Sequence, residues 1–113
     1  MHNERDYLIK KLQSFKREDI IFSSHTRIRL AERQMDENEV IENIINPVRL
    51  EYALRETSLS EEEKFDCYFG YSKNLCHRYV LAVNKKLTVI TAIKIQRRWQ
   101  RRAEKKLRSN RES

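Results

Sequence analysis

Residues 22–47 read FSSHTRIRLAERQMDENEVIENIINP. This stretch predicts two short helices joined by a tight turn. Ser23 or Ser24 caps the first, because a hydroxyl accepts from the free N–H groups of a first helical turn. Asp36, with Glu39 three residues on, forms a capping-box pattern for the second. Val40, Ile41, Ile44 and Ile45 then make one apolar stripe at helical spacing. Pro47 ends that helix, since it lacks an N–H and restricts Asn46.

The first helix of the pair carries the informative polar residues. His25, Arg29 and Arg33 stand at i, i+4 and i+8, within an arc of about 80° at ~100° per residue. Ile28, Ala31 and Met35 fall on a neighbouring face and are expected to enter the core. An imidazole and two guanidiniums beside a buried stripe suit a phosphate-bearing ligand, because arginine presents a planar fork of donors to phosphate oxygens. Glu32 is also placed to neutralise Arg29.

On the N-terminal side, Leu8, Leu12 and Phe15 recur at helical spacing and predict a helix over 4–17. Residues 19–23 read as a brief strand or a linker. After Pro47 the period changes from helical to extended. Val48, Leu50, Tyr52 and Leu54 alternate with Arg49, Glu51, Ala53 and Arg55, the mark of a half-buried strand. An acidic connection over 57–63 leads to a strand over 64–71, with Phe65, Cys67, Phe69 and Tyr71 on one face. Ser72-Lys73-Asn74 turns the chain into a strand over 76–84, and Asn84-Lys85-Lys86 turns it into one over 87–96. The last is the most continuously apolar and is placed centrally. The expected fold is α+β: N-terminal helices on one face of a four-stranded antiparallel sheet.

The chain has 113 residues, 36% of them charged, with one Gly and one Pro. That length fits a single domain, and the composition argues against collagen, low-complexity and disulfide scaffolds. No apolar run approaches the ~20 residues of a membrane span. The N-terminus lacks the apolar core of a signal peptide, so the cytoplasm is the expected location and no membrane is expected as a partner. Cys67 and Cys76 are then reduced thiols. With His77 they lack the spaced second pair of a zinc site, so no metal or cofactor is expected.

The charge is uneven. Residues 1–96 hold 16 Lys/Arg and 15 Asp/Glu, whereas residues 97–113 hold 8 and 2. A nearly neutral body therefore carries a basic C-terminal tail or helix over 99–113, which favours a polyanionic partner. Trp99, Ala103 and Leu107 give it a weak apolar stripe. An ordered basic helix and a frayed tail both fit.

Residues 20–98 resemble the RelE/ParE-like toxin superfamily, in particular an uncharacterised branch with a His-Ala-x-x-Arg-x-x-x-Arg-Gly pattern, a helix ending in Asn-Pro and a β-meander. His25, Arg29, Arg33, Asn46 and Pro47 match that spacing. Tyr79–Val83 and Val89–Ile93 look like its last two strands, and Ile93-Lys94-Ile95 before Arg97-Arg98 looks like the end of its sheet. Thr26 replaces the usual Ala, and Gln34 replaces the Gly. Trp99 stands where such nucleases often carry Tyr or His. The resemblance implies a RelE-like domain over 1–98, with 1–19 as an N-terminal helical extension. It also implies a toxin of a toxin–antitoxin system that cleaves mRNA, including ribosome-bound mRNA, with an antitoxin as partner.

Metal-independent RNA cleavage attacks a phosphate with the adjacent ribose 2′-hydroxyl. It needs a base, an acid and cations to hold the developing charge. His25 is the first titratable candidate. His77 or Tyr79 is the second, with one of the two expected to face the site. Arg78 aligns with the arginine of the RelE-type third strand. Arg29, Arg33 and Lys94 are candidate phosphate contacts. A second reading is a non-catalytic RNA- or DNA-binding module of the same fold, using Arg97, Arg98, Trp99, Arg101 and Arg102, with Trp99 as a stacking surface. A third is a protein-interaction domain that receives a partner on its first helix or a sheet edge.

Overall fold

The computed structural model describes residues 4–56, 62–98, 100, 101 and 105. Among these, three helices, α1 (Glu4–Leu12), α2 (Ser24–Glu32) and α3 (Glu37–Ile45), combine with five strands, β1 (Ile20–Phe22), β2 (Leu50–Glu56), β3 (Glu63–Gly70), β4 (Leu75–Val83) and β5 (Leu87–Gln96). The sheet order is β1-β5-β4-β3-β2. The α+β class is as expected, but the sheet is five-stranded and mixed instead of four-stranded and antiparallel. The added strand is β1, which runs parallel to β5 with Ile20–Phe22 opposite Leu87–Val89. It forms because Ile20 and Phe22 are buried while Ile21 stays exposed. Three residues are too few to display a period of two. The expected central strand, β5, is an interior one, flanked by β1 and β4.

One apolar cluster joins Leu8 and Leu12 of α1, Leu30 of α2 and Val40, Ile41 and Ile44 of α3 to one face of the sheet. Leu8 and Leu12 are fully buried, so α1 is part of the core. It ends at Leu12, five residues before the predicted end. Local bonds take over there: Ser14 Oγ donates to the Lys11 carbonyl, and Asp19 accepts from the Lys16 N–H. Such side-chain bonds compete with helix continuation.

The helix pair forms as read, with different details. Ser23 is the cap of α2, accepting from the Thr26 N–H at 3.1 Å. The buried face of α2 is Thr26 and Leu30, with Met35 following, whereas Ile28 is 58% exposed and Ala31 is exposed. Thr26 decides this rotation by donating to the Ile90 carbonyl of β5. Asp36 caps α3 by accepting from the Asn38 N–H. Glu39, expected to close the capping box, instead points its carboxylate toward His77. Gln34 holds the α2–α3 turn at φ 54°, the left-handed region that glycine adopts most easily.

Two bulges reset the strand pattern. In β2 the register shifts between Leu50 and Tyr52, so the buried residues are Leu50 and Ala53, not the alternating set from Val48 to Leu54. In β5, Leu81 pairs with Val89 directly after Val80 pairs with Thr91, which inserts Ile90 as an extra residue. Each bulge flips the face of the strand residues beyond it. In β3, Phe65, Cys67 and Phe69 enter the core as read, while Tyr71 lies just past the strand and is 40% exposed. Cys67 and Cys76 are both buried free thiols on opposite faces of the sheet.

Candidate nucleic-acid interface

Arg78 apart, the described site residues separate into three places. His25 sits in the exposed first turn of α2, and Arg29 is exposed one turn on, 3.4 Å from Glu32. Arg33, at the C-terminal cap of α2, donates to the Ala92 carbonyl at 2.9 Å. It ties the helix to β5 and serves the fold.

His77 and Tyr79 form the second place. They stand two apart on β4, so both face the core, against the expectation that only one would face the site. Tyr79 is fully buried and His77 is 1% exposed. Asn43 of α3 donates to the Tyr79 oxygen at 2.9 Å, and that oxygen is 2.7 Å from His77 Nδ1. With Asn43 donating, the Tyr79 hydroxyl gives its own proton to Nδ1, which assigns the ring proton to Nε2. Among the described residues Nε2 has no hydrogen-bond partner, and it lies 3.5 Å from Glu39 Oε1. Burial, joined by the positive charges of Lys94 and Arg49, lowers the His77 pKa to about 4. Burial also raises the Tyr79 phenol above its ordinary value. Near neutral pH neither group exchanges protons readily, so both act here as buried, mutually bonded parts of the fold.

Arg78 faces the other side of the sheet. It meets Asp66 through two bonds of 2.8 Å, a bidentate pair across β3 and β4. Asp66 is 8% exposed, so removing the guanidinium would leave a buried carboxylate without its partner. Arg78 is thus engaged, and it is on the opposite face from His77 and Tyr79. The structure does not bring the four candidate catalytic residues into one constellation.

The third place is the end of the sheet where the β3–β4 turn meets the end of β5. Lys94 sits with its ammonium 4.1 Å from the Tyr71 ring centroid. Arg97 donates to the Ser72 carbonyl at 2.7 Å and to Glu51 Oε1 at 2.6 Å. Gln100 joins the same carboxylate at 3.0 Å. Burial opposes the ionised form of Glu51, but the bonds from Arg97 and Gln100 prevail and hold its pKa below the ordinary value. Lys73, Asn74, Gln96, Arg97, Arg98 and Arg101 line a shallow cleft on one side of Arg97. On the other side is a larger cleft that includes Arg5, Arg49, Tyr71 and Arg97. Four predicted nucleic-acid contacts, Lys94, Arg97, Arg98 and Arg101, therefore gather at one end. Trp99 and Arg102 lie outside the described residues.

Sequence reasoning missed Arg49 and Tyr71. In the sequence pattern Arg49 is only the polar half of an alternation, and Tyr71 shares a strand face with Phe65, Cys67 and Phe69. The signal for Tyr71 was its place directly before the Ser72-Lys73-Asn74 turn, where a strand side chain leaves the core. Among the described residues no helix is long and apolar enough to cross a membrane. No family model, curated protein or solved structure matches this chain.

Proposed function

We propose that this chain is a RelE-like nucleic-acid-binding domain that engages RNA at the basic end of its sheet. The observation that carries the reading is the gathering of Lys94, Arg97, Arg98 and Arg101 beside an exposed tyrosine at one end of the sheet. Phosphates are held there by charge, and an aromatic ring adds stacking to unpaired bases. Arg97 and Gln100 also anchor Glu51, so deleting the C-terminal segment would disturb the fold itself. The test is instead the combined change Lys94→Ala/Arg98→Ala/Arg101→Ala, with single-stranded RNA binding measured across a salt series. Wild-type binding should weaken steeply with salt, and the triple variant should lose roughly 2 units of that log–log slope at about 0.7 per phosphate contact. An unchanged slope would remove this surface from the interface.

A second reading is an endoribonuclease toxin with an antitoxin partner, and the exposed imidazole of His25 favours it. In that reading His25 handles the proton of the attacking 2′-hydroxyl and Arg29 holds the phosphate. Arg78, His77 and Tyr79 have no direct part, because the first is paired with Asp66 and the others are enclosed. Induced expression would then arrest growth with cleaved mRNA, and His25→Ala would relieve both. Arrest that persists unchanged in His25→Ala would remove His25 from the chemistry.

A further inference from the structure

We infer that the cleft between the start of β2 and the β3–β4 turn is a nucleotide site, taking an aromatic base with an attached phosphate. The inference rests on the nucleic-acid-binding reading for its ligand class. The cleft is open and measures about 570 Å³, within the range of small-ligand sites. Three guanidiniums, from Arg5, Arg49 and Arg97, line it against one carboxylate, Glu51. Arg5 is fixed by its bond to the Leu50 carbonyl, and Arg97 by its bond to the Ser72 carbonyl. Among the described residues, the exposed Arg49 guanidinium has no hydrogen-bond or ion-pair partner. It is the group most available to a phosphate.

The aromatic element is Tyr71. Its ring stacks on His77 at 4.7 Å between centroids and 17° between planes, and it remains 40% exposed along the cleft that it lines. His77 is fixed in turn by Tyr79 and supports one face of the ring, while the Lys94 ammonium, on a flexible stem, lies 4.1 Å from the ring centroid and gives way to a base. Val48, 78% exposed, adds apolar surface to the same cleft. The floor includes Gly70, the only glycine in the chain. It has no positive φ, so its backbone does not call for glycine. A Cβ at Gly70 would lie 2.9 Å from Glu51 Oε2 and 3.0 Å from Arg97 Nη2. The missing side chain is what lets this ion pair lie against β3. A simple anion would leave Tyr71 and Val48 unused, and an apolar ligand would leave the guanidiniums unused. A nucleotide uses both, and because Arg97 and Gln100 bond to Glu51 Oε1, it is Oε2 that can accept from a sugar hydroxyl or a base amino group.

The test is a titration of the full chain followed by backbone amide shifts, using adenosine 5′-monophosphate, adenosine, inorganic phosphate and 5′-phosphorylated hexa-adenylate. The monophosphate should shift the Gly70 and Tyr71 amides, and adenosine and phosphate should each bind at least about tenfold more weakly. Arg49→Ala and Tyr71→Ala should each weaken monophosphate binding by about tenfold, and Tyr71→Trp should retain it. A hexamer that binds no tighter than the monophosphate assigns the site to a free nucleotide, and a markedly tighter one assigns it to a strand end. Equal binding of adenosine and its monophosphate, shifts confined to another surface, or wild-type affinity in both alanine variants with native spectra would overturn the inference. RNA binding that ignores Arg49 and Tyr71 would leave the proposed function standing and remove this cleft. Monophosphate binding without RNA binding would do the reverse.

Discussion

The interior around Tyr79 and the basic end around Tyr71 are built from the same kinds of side chain. Each has a tyrosine in contact with His77, the interior one through its hydroxyl and the outer one through its ring face. The difference is water. Tyr79 is fully buried and has its polar atom bonded within the protein, whereas Tyr71 is 40% exposed beside the Lys94 ammonium. The comparison teaches that residue type nominates a site, while burial and partners decide whether the residue supports the fold or meets a ligand.

The largest effect that tests this contrast is in pH. His77 has a folded pKa of about 4 against an ordinary 6.5, so the folded state binds fewer protons than the unfolded chain between these values. Stability is therefore complete above pH 6.5 and falls as the pH drops toward 4, by about 3 kcal/mol at ~1.4 kcal/mol per pKa unit. Urea unfolding of wild type and His77→Phe across this range should show a flatter profile in the variant. Parallel profiles would mean that His77 is not held neutral by burial.

Next comes Tyr79→Phe. It removes one hydroxyl and leaves the Asn43 donor and His77 Nδ1 without their partner, which should lower stability by about 2 kcal/mol. A shift of the urea midpoint within error of zero would show that water or a rearrangement replaces the bond. The smallest effect belongs to the other region. Arg49→Ala should change stability by no more than about 0.5 kcal/mol, since the exposed side chain has no partner to lose among the described residues. A larger loss would break the contrast by making Arg49 structural.

The helices and most strands were legible because they repeat. The stripe from Val40 to Ile45 and the apolar face of Phe65, Cys67 and Phe69 each contain enough turns or pairs to show a period. β1 was not legible as more than a brief strand or linker, because its three residues depend on Leu87–Val89 for their meaning. The two bulges escaped because a residue inserted into a ladder is defined by its partner strand. Alternation in the sequence alone cannot reveal it. Gln34 shows the converse. The turn forms where the sequence places it although its φ of 54° falls on a residue other than glycine, since Asp36 and the stripe from Val40 to Ile45 mark where the second helix begins.

The candidate site was partly legible for the same reason. Charge is visible in sequence, so the basic end was named through Lys94, Arg97, Arg98 and Arg101. Pairing is not visible, so Arg78 was read as available when Asp66 already holds it. Lys94 and Arg49 come together around His77 only through the fold, although they lie 45 positions apart in the numbering.

Beyond the end of β1, the Ile90 and Ala92 carbonyls of β5 receive Thr26 and Arg33, and on the outermost strand β2 the Leu50 carbonyl receives Arg5. These are acceptors that an incoming strand from another molecule would seek. Many sheets discourage such pairing with edge prolines, but this chain has a single proline, Pro47, which lies outside its strands. Here helix side chains guard those positions. The same bonds that dock α1 and α2 therefore also work against self-association, and a substitution that loosens either helix would turn a folding defect into an invitation to polymerise.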